Sequence, residues 1–138
     1  MGGVGGLPKG ELAAEAGCAV AGGIVVDDHL LTADPAISAI GDCALFESGR
    51  FGGSLRLESV QNATDHARCV AARLTGAAKP YAGQPWLWSD QGDDELQMMG
   101  LATGSHQVVL RGHPPPQASP DSTYGRCVLG RRDPATPA

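Results

Sequence analysis

The 138-residue sequence contains few aromatic residues, few cysteines and no long apolar run. Phe, Trp and Tyr make up 4% of the residues, and the four cysteines include no Cys-x-x-Cys pair. This spacing argues against a disulfide framework and a zinc knuckle. No stretch is long and apolar enough to predict a membrane span, and no cleavable signal pattern opens the chain. We therefore expect a soluble, cytoplasmic protein that is long enough for one domain with a real core.

Net charge and the spacing of possible metal ligands argue against a nucleic-acid-binding protein and against a metalloprotein. The net charge of −5 argues against a nucleic-acid partner. His66 and Cys69 lie three apart on a predicted helix, but no second pair completes a metal site. Asp27 and Asp28 are adjacent, so they point apart on a strand, and a solvated turn is the better interpretation. We expect neither a metal site nor a catalytic acid or base.

The most informative segment is a short predicted strand that ends at a glycine and an aspartate. Ile37–Ile40 is expected to be buried, because small residues separate two β-branched ones. Gly41 lets a ligand approach the backbone, and Asp42 offers an acceptor to hydroxyl donors. If Cys43 and Ala44 begin a helix, their N–H groups can point at the same ligand. An α/β sheet presents a polar cofactor in this way at the carboxyl ends of its strands.

The rest of the chain predicts a mixture of helices and strands. The clearest helix is Glu58–Leu74, which ends at Gly76. Its apolar stripe is expected to comprise Val60, Ala63, Ala67, Val70, Ala71 and Leu74. Other predicted elements are a helix at Glu11–Ala16, a strand at Ile24–Val26 with a returning strand at Leu30–Thr32, a loop at Leu45–Leu57, and strands at Trp86–Trp88, Leu96–Leu101 and Gln107–Arg111.

Three motifs, in order, resemble the FAD-dependent NAD(P)H ferredoxin reductases of oxygenase systems, the putidaredoxin, rhodocoxin and biphenyl-dioxygenase reductase type. These pyridine nucleotide-disulphide oxidoreductase-like flavoproteins are similar to the chain over about residues 2–112. The motifs are Thr-x-Asp-Pro-x-Ile-x-Ala-x-Gly-Asp at 32–42, Leu-Glu-Ser-Val-Gln-Asn-Ala at 57–63 and Pro-Trp-Leu-Trp-Ser-Asp-Gln at 85–91.

The resemblance implies an α/β fold and a division of the chain. Residues 1–83 would be the carboxyl-terminal part of a Rossmann-like FAD-binding domain, and residues 84–112 part of a small α/β carboxyl-terminal domain. Six of the ten prolines lie in residues 113–138, so this tail is expected to be disordered. The implied chemistry is hydride transfer from NAD(P)H to FAD, then electron transfer to a [2Fe–2S] ferredoxin.

The resemblance also implies the residues that contact FAD. Asp42 would accept hydrogen bonds from ribityl hydroxyls, and the helix start at Val60 and Gln61 would meet the pyrimidine edge of the ring. Trp88 would lie near the ring, although both tryptophans could instead be core aromatics. The implied cofactor-binding residues are Gly41, Asp42, Cys43, Val60, Gln61 and Trp88, with Trp86, Ala44 and Glu58 as further candidates.

The two glycine-rich dinucleotide loops of the family are not in this sequence. The glycines of residues 1–6 follow no strand, so they do not predict a phosphate loop. We therefore expect the isolated chain to bind FAD weakly, to lack reductase turnover and to self-associate through exposed sheet edges. Two alternatives stay open: a noncatalytic flavoprotein-like interaction module, or a reductase of the same fold that serves rubredoxin or nitrite reductase. The sequence does not distinguish NADH from NADPH.

Overall fold

A small mixed sheet and one long helix organise the first part of the molecule. The computed structural model describes residues 6–92, 94–101, 107–111 and 125–129, and the chain divides into one unit at 1–87 and another at 88–138. No helix in these described ranges is long and apolar enough to cross a membrane. The first unit contains helices α1 (Glu11–Glu15) and α2 (Val60–Leu74), strands β1 (Ile24–Val26), β2 (Ala44–Glu47) and β3 (Ser54–Leu55), and a 3₁₀ turn at Gly41–Cys43.

The sheet of the first unit has the order β1-β2-β3. Strands β1 and β2 are parallel, with Val26 opposite Phe46, and β3 pairs antiparallel with β2, with Leu55 also opposite Phe46. Side chains alternate along each strand, so one face of the sheet is buried. The core is formed by Ile24, Val26, Leu30, Ala39, Ala44 and Phe46.

Helix α2 is where the sequence predicts it, with a start two residues later. Ser59 is the N-cap: its backbone is extended and its Oγ accepts a hydrogen bond from Asn62 N at 3.2 Å. Gly76, at φ +84°, lies just beyond the helix and adopts the left-handed conformation common there.

The predicted apolar stripe of α2 is right only for Ala63 and Val70, which lie on the packed side of the helix; its other four members are exposed. Val60 is 66% exposed and Leu74 is 74% exposed, whereas the buried residues of the helix are Asn62 and His66. Cys69 and Val70 pack partly against the core on the same side. The buried face is therefore rotated by about a third of a turn from the predicted stripe and carries polar groups, which the alanine-rich pattern did not reveal.

Two predicted strands between residues 30 and 40 are also wrong. Leu31 forms one isolated antiparallel bridge with Ser38, and no strand spans Ile37–Ile40. The expected hairpin at Leu30–Thr32 is replaced by a tight turn, in which Asp27 N–H donates to Leu31 O at 2.8 Å and Leu30 has a φ of +62°. Local turn hydrogen bonds here satisfy the backbone instead of a strand ladder.

The predicted loop at Leu45–Leu57 contains two strands. Strand β2 pairs with β1, which lies about 20 residues earlier in the chain, and the glycines that suggested a loop form the β2–β3 connection. Gly52 and Gly53 both have positive φ, at 72° and 89°. Glycine richness therefore marked the hairpin turn and not the whole segment.

The second unit is built from paired strands. Strand β5 (Asp94–Met99) pairs with β4 (Trp86–Gln91), which begins just before the division between the units. Strand β6 (Gln107–Arg111) pairs antiparallel with β7 (Gly125–Leu129). The strands expected near 96–101 and at 107–111 are confirmed, the first shifted by two residues. Strand β7 lies inside the tail predicted to be disordered and corrects that prediction for its five residues; the remainder of the tail lies outside the described residues.

Candidate cofactor site

The 3₁₀ turn at Gly41–Cys43 lies against helix α2. Gly41 is buried, and its N–H donates to Nδ1 of His66 at 3.1 Å. A Cβ placed on Gly41 would lie 3.5 Å from the Cβ of Ala63, so the helix packs directly on this glycine. Its φ of +70° lies in the left-handed region, which costs a residue with a side chain roughly 1–2 kcal/mol. The sequence-predicted glycine is therefore required by its backbone conformation.

The next residue, Asp42, has an exposed side chain and a backbone carbonyl that is hydrogen-bonded. The Asp42 carbonyl accepts from a guanidinium nitrogen of Arg56 at 3.0 Å, and Arg56 in turn pairs with Glu58 at 2.5 Å. Both anchors of the turn therefore use main-chain atoms, Gly41 N and Asp42 O. The Asp42 carboxylate lies at the surface, where it can accept hydrogen bonds from a ligand.

The predicted helix start at Cys43 and Ala44 is wrong. The chain passes from the 3₁₀ turn into β2, because Ala44 joins the parallel ladder opposite Ile24. Ala44 is fully buried and its N–H donates to Gly41 O, which removes it as a backbone donor to a ligand. Cys43 is half-buried, and its Sγ contacts Ile40 O at 3.4 Å.

The first turn of α2 supplies the other predicted donors. Four N–H groups at the start of an α-helix have no intrahelical acceptor. Of these groups, Asn62 N–H donates to the Oγ of Ser59, and the first intrahelical bond runs from Ala63 N to Ser59 O. The N–H groups of Val60 and Gln61 are the other members of this end, and Val60 is exposed. Because Gly41 packs on Ala63, the structure brings the Asp42 turn next to this helix start.

An aromatic cluster of Phe46, His66 and Tyr81 packs beneath the surface next to the Gly41 turn. His66 lies 5.1 Å from Phe46 and 4.4 Å from Tyr81 between ring centroids, edge-on in both cases. The Tyr81 hydroxyl donates to Asn62 Oδ1 at 3.0 Å, and Asn62 Nδ2 donates to Leu57 O at 3.1 Å. The cluster thus links α2 to β2 and to the segments on either side of the helix.

Burial shifts the pKa of both titratable members of the cluster. Desolvation lowers the pKa of His66 to about 4, although the charge of Asp65 opposes the change. Desolvation also raises the pKa of Tyr81 to about 12, with smaller contributions from Asp65 and Cys69. Both side chains are therefore neutral around pH 7. His66 was missed in the sequence as part of the site, where it stood out only through its spacing to Cys69.

The tryptophans lie on β4, two residues apart. Trp86 is partly buried and belongs to the first unit, which ends at Leu87, whereas Trp88 is 40% exposed and belongs to the second unit. The contact of Trp88 with the cofactor stays a prediction.

Asp27 and Asp28 lie in a turn, as the sequence predicts, and their carboxylates bond to groups of that turn. Asp27 Oδ1 accepts from the backbone N–H groups of His29 and Leu31 at 2.8 and 2.9 Å. Asp28 Oδ1 lies 2.7 Å from Nδ1 of His29. The three side chains are close enough to surround a cation, but the observed bonds already explain their proximity as a turn.

Two family models match most of the chain. Residues 1–67 match the pyridine nucleotide-disulphide oxidoreductase family, and residues 86–128 match the reductase C-terminal family. The second match continues past residue 112, so the expectation that the resemblance ends there is wrong.

Individual relatives agree with these matches. Rhodocoxin reductase of Rhodococcus erythropolis is 53% identical over 110 residues, which are 80% of this chain and 26% of the relative. The crystal structure of the ferredoxin reductase for the CYP199A2 system from Rhodopseudomonas palustris has 69% identity and a TM-score of 0.78, covering 80% of this chain and 28% of that one. A covalent putidaredoxin reductase–putidaredoxin complex has 40% identity and a TM-score of 0.77, covering 89% and 28%. The chain spans about a quarter of the length of the curated relatives it matches.

Proposed function

We propose that this chain belongs to the pyridine nucleotide-disulphide oxidoreductase family, whose model matches residues 1–67, and that it supplies the FAD-contacting end of an NAD(P)H-dependent ferredoxin reductase. The observation that carries the proposal is the left-handed Gly41, which holds the exposed Asp42 beside the N-terminus of α2. The identity of 69% to a solved ferredoxin reductase supports the same function.

The residues of the first unit fit the polar groups of FAD. Asp42 would accept hydrogen bonds from ribityl hydroxyls, which favours its ionised form. The N–H groups of Val60 and Gln61 would donate to the pyrimidine edge of the ring. The dipole of α2 would stabilise negative charge there by about 0.3–1 kcal/mol. When bound, FAD supplies the redox chemistry: it takes a hydride from a nicotinamide and releases electrons to an acceptor.

The remaining site residues and the domain assignment are part of the proposal. We assign residues 1–83 to the FAD-binding domain and place Trp88 near the ring, with Trp86 shielding it. Residues 84–112 would begin the carboxyl-terminal domain, and the reductase C-terminal match over 86–128 supports this assignment. Glu58 has an indirect role, because it pairs with the Arg56 that holds the Asp42 carbonyl.

A [2Fe–2S] ferredoxin is the proposed electron acceptor. The support is similarity to rhodocoxin reductase and to a reductase solved in complex with putidaredoxin. Since neither dinucleotide-binding glycine loop is in this sequence, we expect the chain by itself to bind FAD weakly and to oxidise no NADH.

An FAD titration followed by tryptophan fluorescence tests the proposal. We expect weak, saturable quenching, and Asp42→Ala should raise the Kd about tenfold or more, because hydrogen bonds to charged groups contribute about 1.5–3 kcal/mol. Glu15→Ala, which removes an exposed carboxylate from α1, is the matched control and should leave the Kd unchanged.

Equal affinity of the wild type and Asp42→Ala would contradict the assigned role of Asp42. A chain that gives no quenching at millimolar FAD would instead favour the noncatalytic interaction module. Yellow protein that oxidises NADH unaided would contradict the expected inactivity of the isolated chain.

A further inference from the structure

His66 is a fully buried histidine with an asymmetric environment. Its Nδ1 accepts the N–H of Gly41, and its Nε2 is buried with no hydrogen-bond partner among the described residues. The rings of Phe46 and Tyr81 pack edge-on against the imidazole. A histidine needed only for its volume could be replaced by an apolar residue, whereas this one satisfies a buried main-chain donor.

The donor at Gly41 fixes the state of the imidazole. A backbone N–H can only donate, so Nδ1 must carry a lone pair. The proton of the neutral ring is therefore on Nε2. A second proton on Nδ1 would place two N–H groups against each other and break the bond to Gly41.

We propose that His66, as the neutral Nε2–H tautomer, is a positioning residue that holds Gly41 in its left-handed conformation and thereby sets the direction of the Asp42 carboxylate. The inference rests on the proposed FAD function, since Asp42 is the ribityl ligand assigned there. His66 acts only through the turn.

The surroundings of His66 keep the ring neutral. The titratable groups that face it are Asp65, on the same helix, and Tyr81, from the segment after the helix; β2 contributes the apolar Phe46, and the turn contributes a backbone amide. Burial outweighs the attraction of Asp65 and lowers the pKa of His66 to about 4. The Gly41 contact is therefore intact from neutral pH down to about pH 5.

Three variants separate positioning from simple packing. His66→Leu fills much of the space but leaves the Gly41 N–H without an acceptor. His66→Asn places an amide oxygen near the position of Nδ1, so it restores the acceptor while leaving a smaller side chain. Tyr81→Phe is the matched control, because it removes the bond to Asn62 within the same cluster and leaves the Gly41 bond in place.

The FAD Kd and the Gly41 amide resonance are measured for each variant, together with thermal stability. His66→Leu should raise the Kd about tenfold, equivalent to 1.4 kcal/mol, and shift the Gly41 amide proton upfield. His66→Asn and Tyr81→Phe should stay within about threefold of the wild-type Kd, even where their melting temperatures fall. A packing role predicts that affinity follows stability in all three variants.

The inference is overturned if His66→Leu binds FAD like the wild type, or if His66→Asn and Tyr81→Phe lose as much affinity as His66→Leu. Should His66→Leu not fold, a pH titration of the wild type decides: the Gly41 amide must shift as His66 takes up its proton near pH 4. If the chemical shift of the Gly41 amide does not change when His66 is protonated, the inference is overturned. If the Gly41 amide resonance shifts when His66 is protonated but the chain binds no FAD, the proposed function is contradicted. The His66–Gly41 hydrogen bond would still be supported.

Discussion

Acid should destabilise the protein through His66 before most carboxylates are protonated. The side chain takes up a proton at its ordinary pKa of 6.5 when unfolded, but only near pH 4 in the folded state. Between these values the unfolded state binds more protons, so the free energy of unfolding falls as the pH falls. The contribution is complete above about pH 6.5. It decreases by ~2 kcal/mol at pH 5 and by ~3 kcal/mol near pH 4.

Urea denaturation of the wild type and His66→Asn at pH 7.5 and 5.0 measures this contribution. Asparagine does not titrate, so the variant retains the carboxylate contributions and loses that of His66. We expect the wild type to lose ~2 kcal/mol more than the variant between the two pH values. Equal losses, or a wild type that gains stability on acidification, would refute the neutral buried imidazole.

Two further substitutions, Gly41→Ala and Ser59→Ala, test the backbone of the site, and Gly22→Ala is the control for the first. Gly41→Ala should cost about 1–2 kcal/mol of stability, because this glycine has a left-handed φ, and should weaken FAD binding. Gly22→Ala should cost about the same stability, because its φ is also left-handed, but should leave FAD binding unchanged, since Gly22 lies outside the candidate site. Thermal melts and FAD titrations measure both effects, and a neutral Gly41→Ala would contradict the strain argument. Ser59→Ala should lower stability by about 1 kcal/mol, because Asn62 N–H loses its cap acceptor; an unchanged urea midpoint would show that the cap contributes nothing.

Elements with local chemical signals were predictable from the sequence. Helix α2 was found through its spacing and its terminal glycine, and β1 through its β-branched run. Strand β2 was missed because its stabilising partner, β1, lies about 20 residues away and nothing in the local pattern reveals a pairing across that distance. The neighbouring glycines then favoured a loop.

At the candidate site, the sequence pointed to the turn at residues 41–42 but not to the side chains that anchor it. Gly41 and Asp42 were predicted from their position and the family motif; the structure packs Gly41 against α2, and their contact with FAD stays a prediction. Ala44 was assigned wrongly because the segment after the turn continues as a strand. Arg56 and His66 were missed because each acts on a main-chain atom of the turn, and such long-range side chain–backbone bonds leave no periodic signal.

The polar residues on the buried face of α2 explain why an apolar stripe would not suit this helix. Asn62 donates to Leu57 O, and His66 accepts from Gly41 N; both partners lie outside the sheet ladder. Each buried main-chain group would cost about 1–3 kcal/mol if left unpaired, so leucine at either position would gain burial and lose a required partner. The two anchors differ in one respect: an amide is insensitive to pH, whereas the imidazole can accept from Gly41 only while neutral. We therefore expect the geometry of the Asp42 turn to depend on the protonation state of His66, a fully buried residue that contacts the turn only through its main chain.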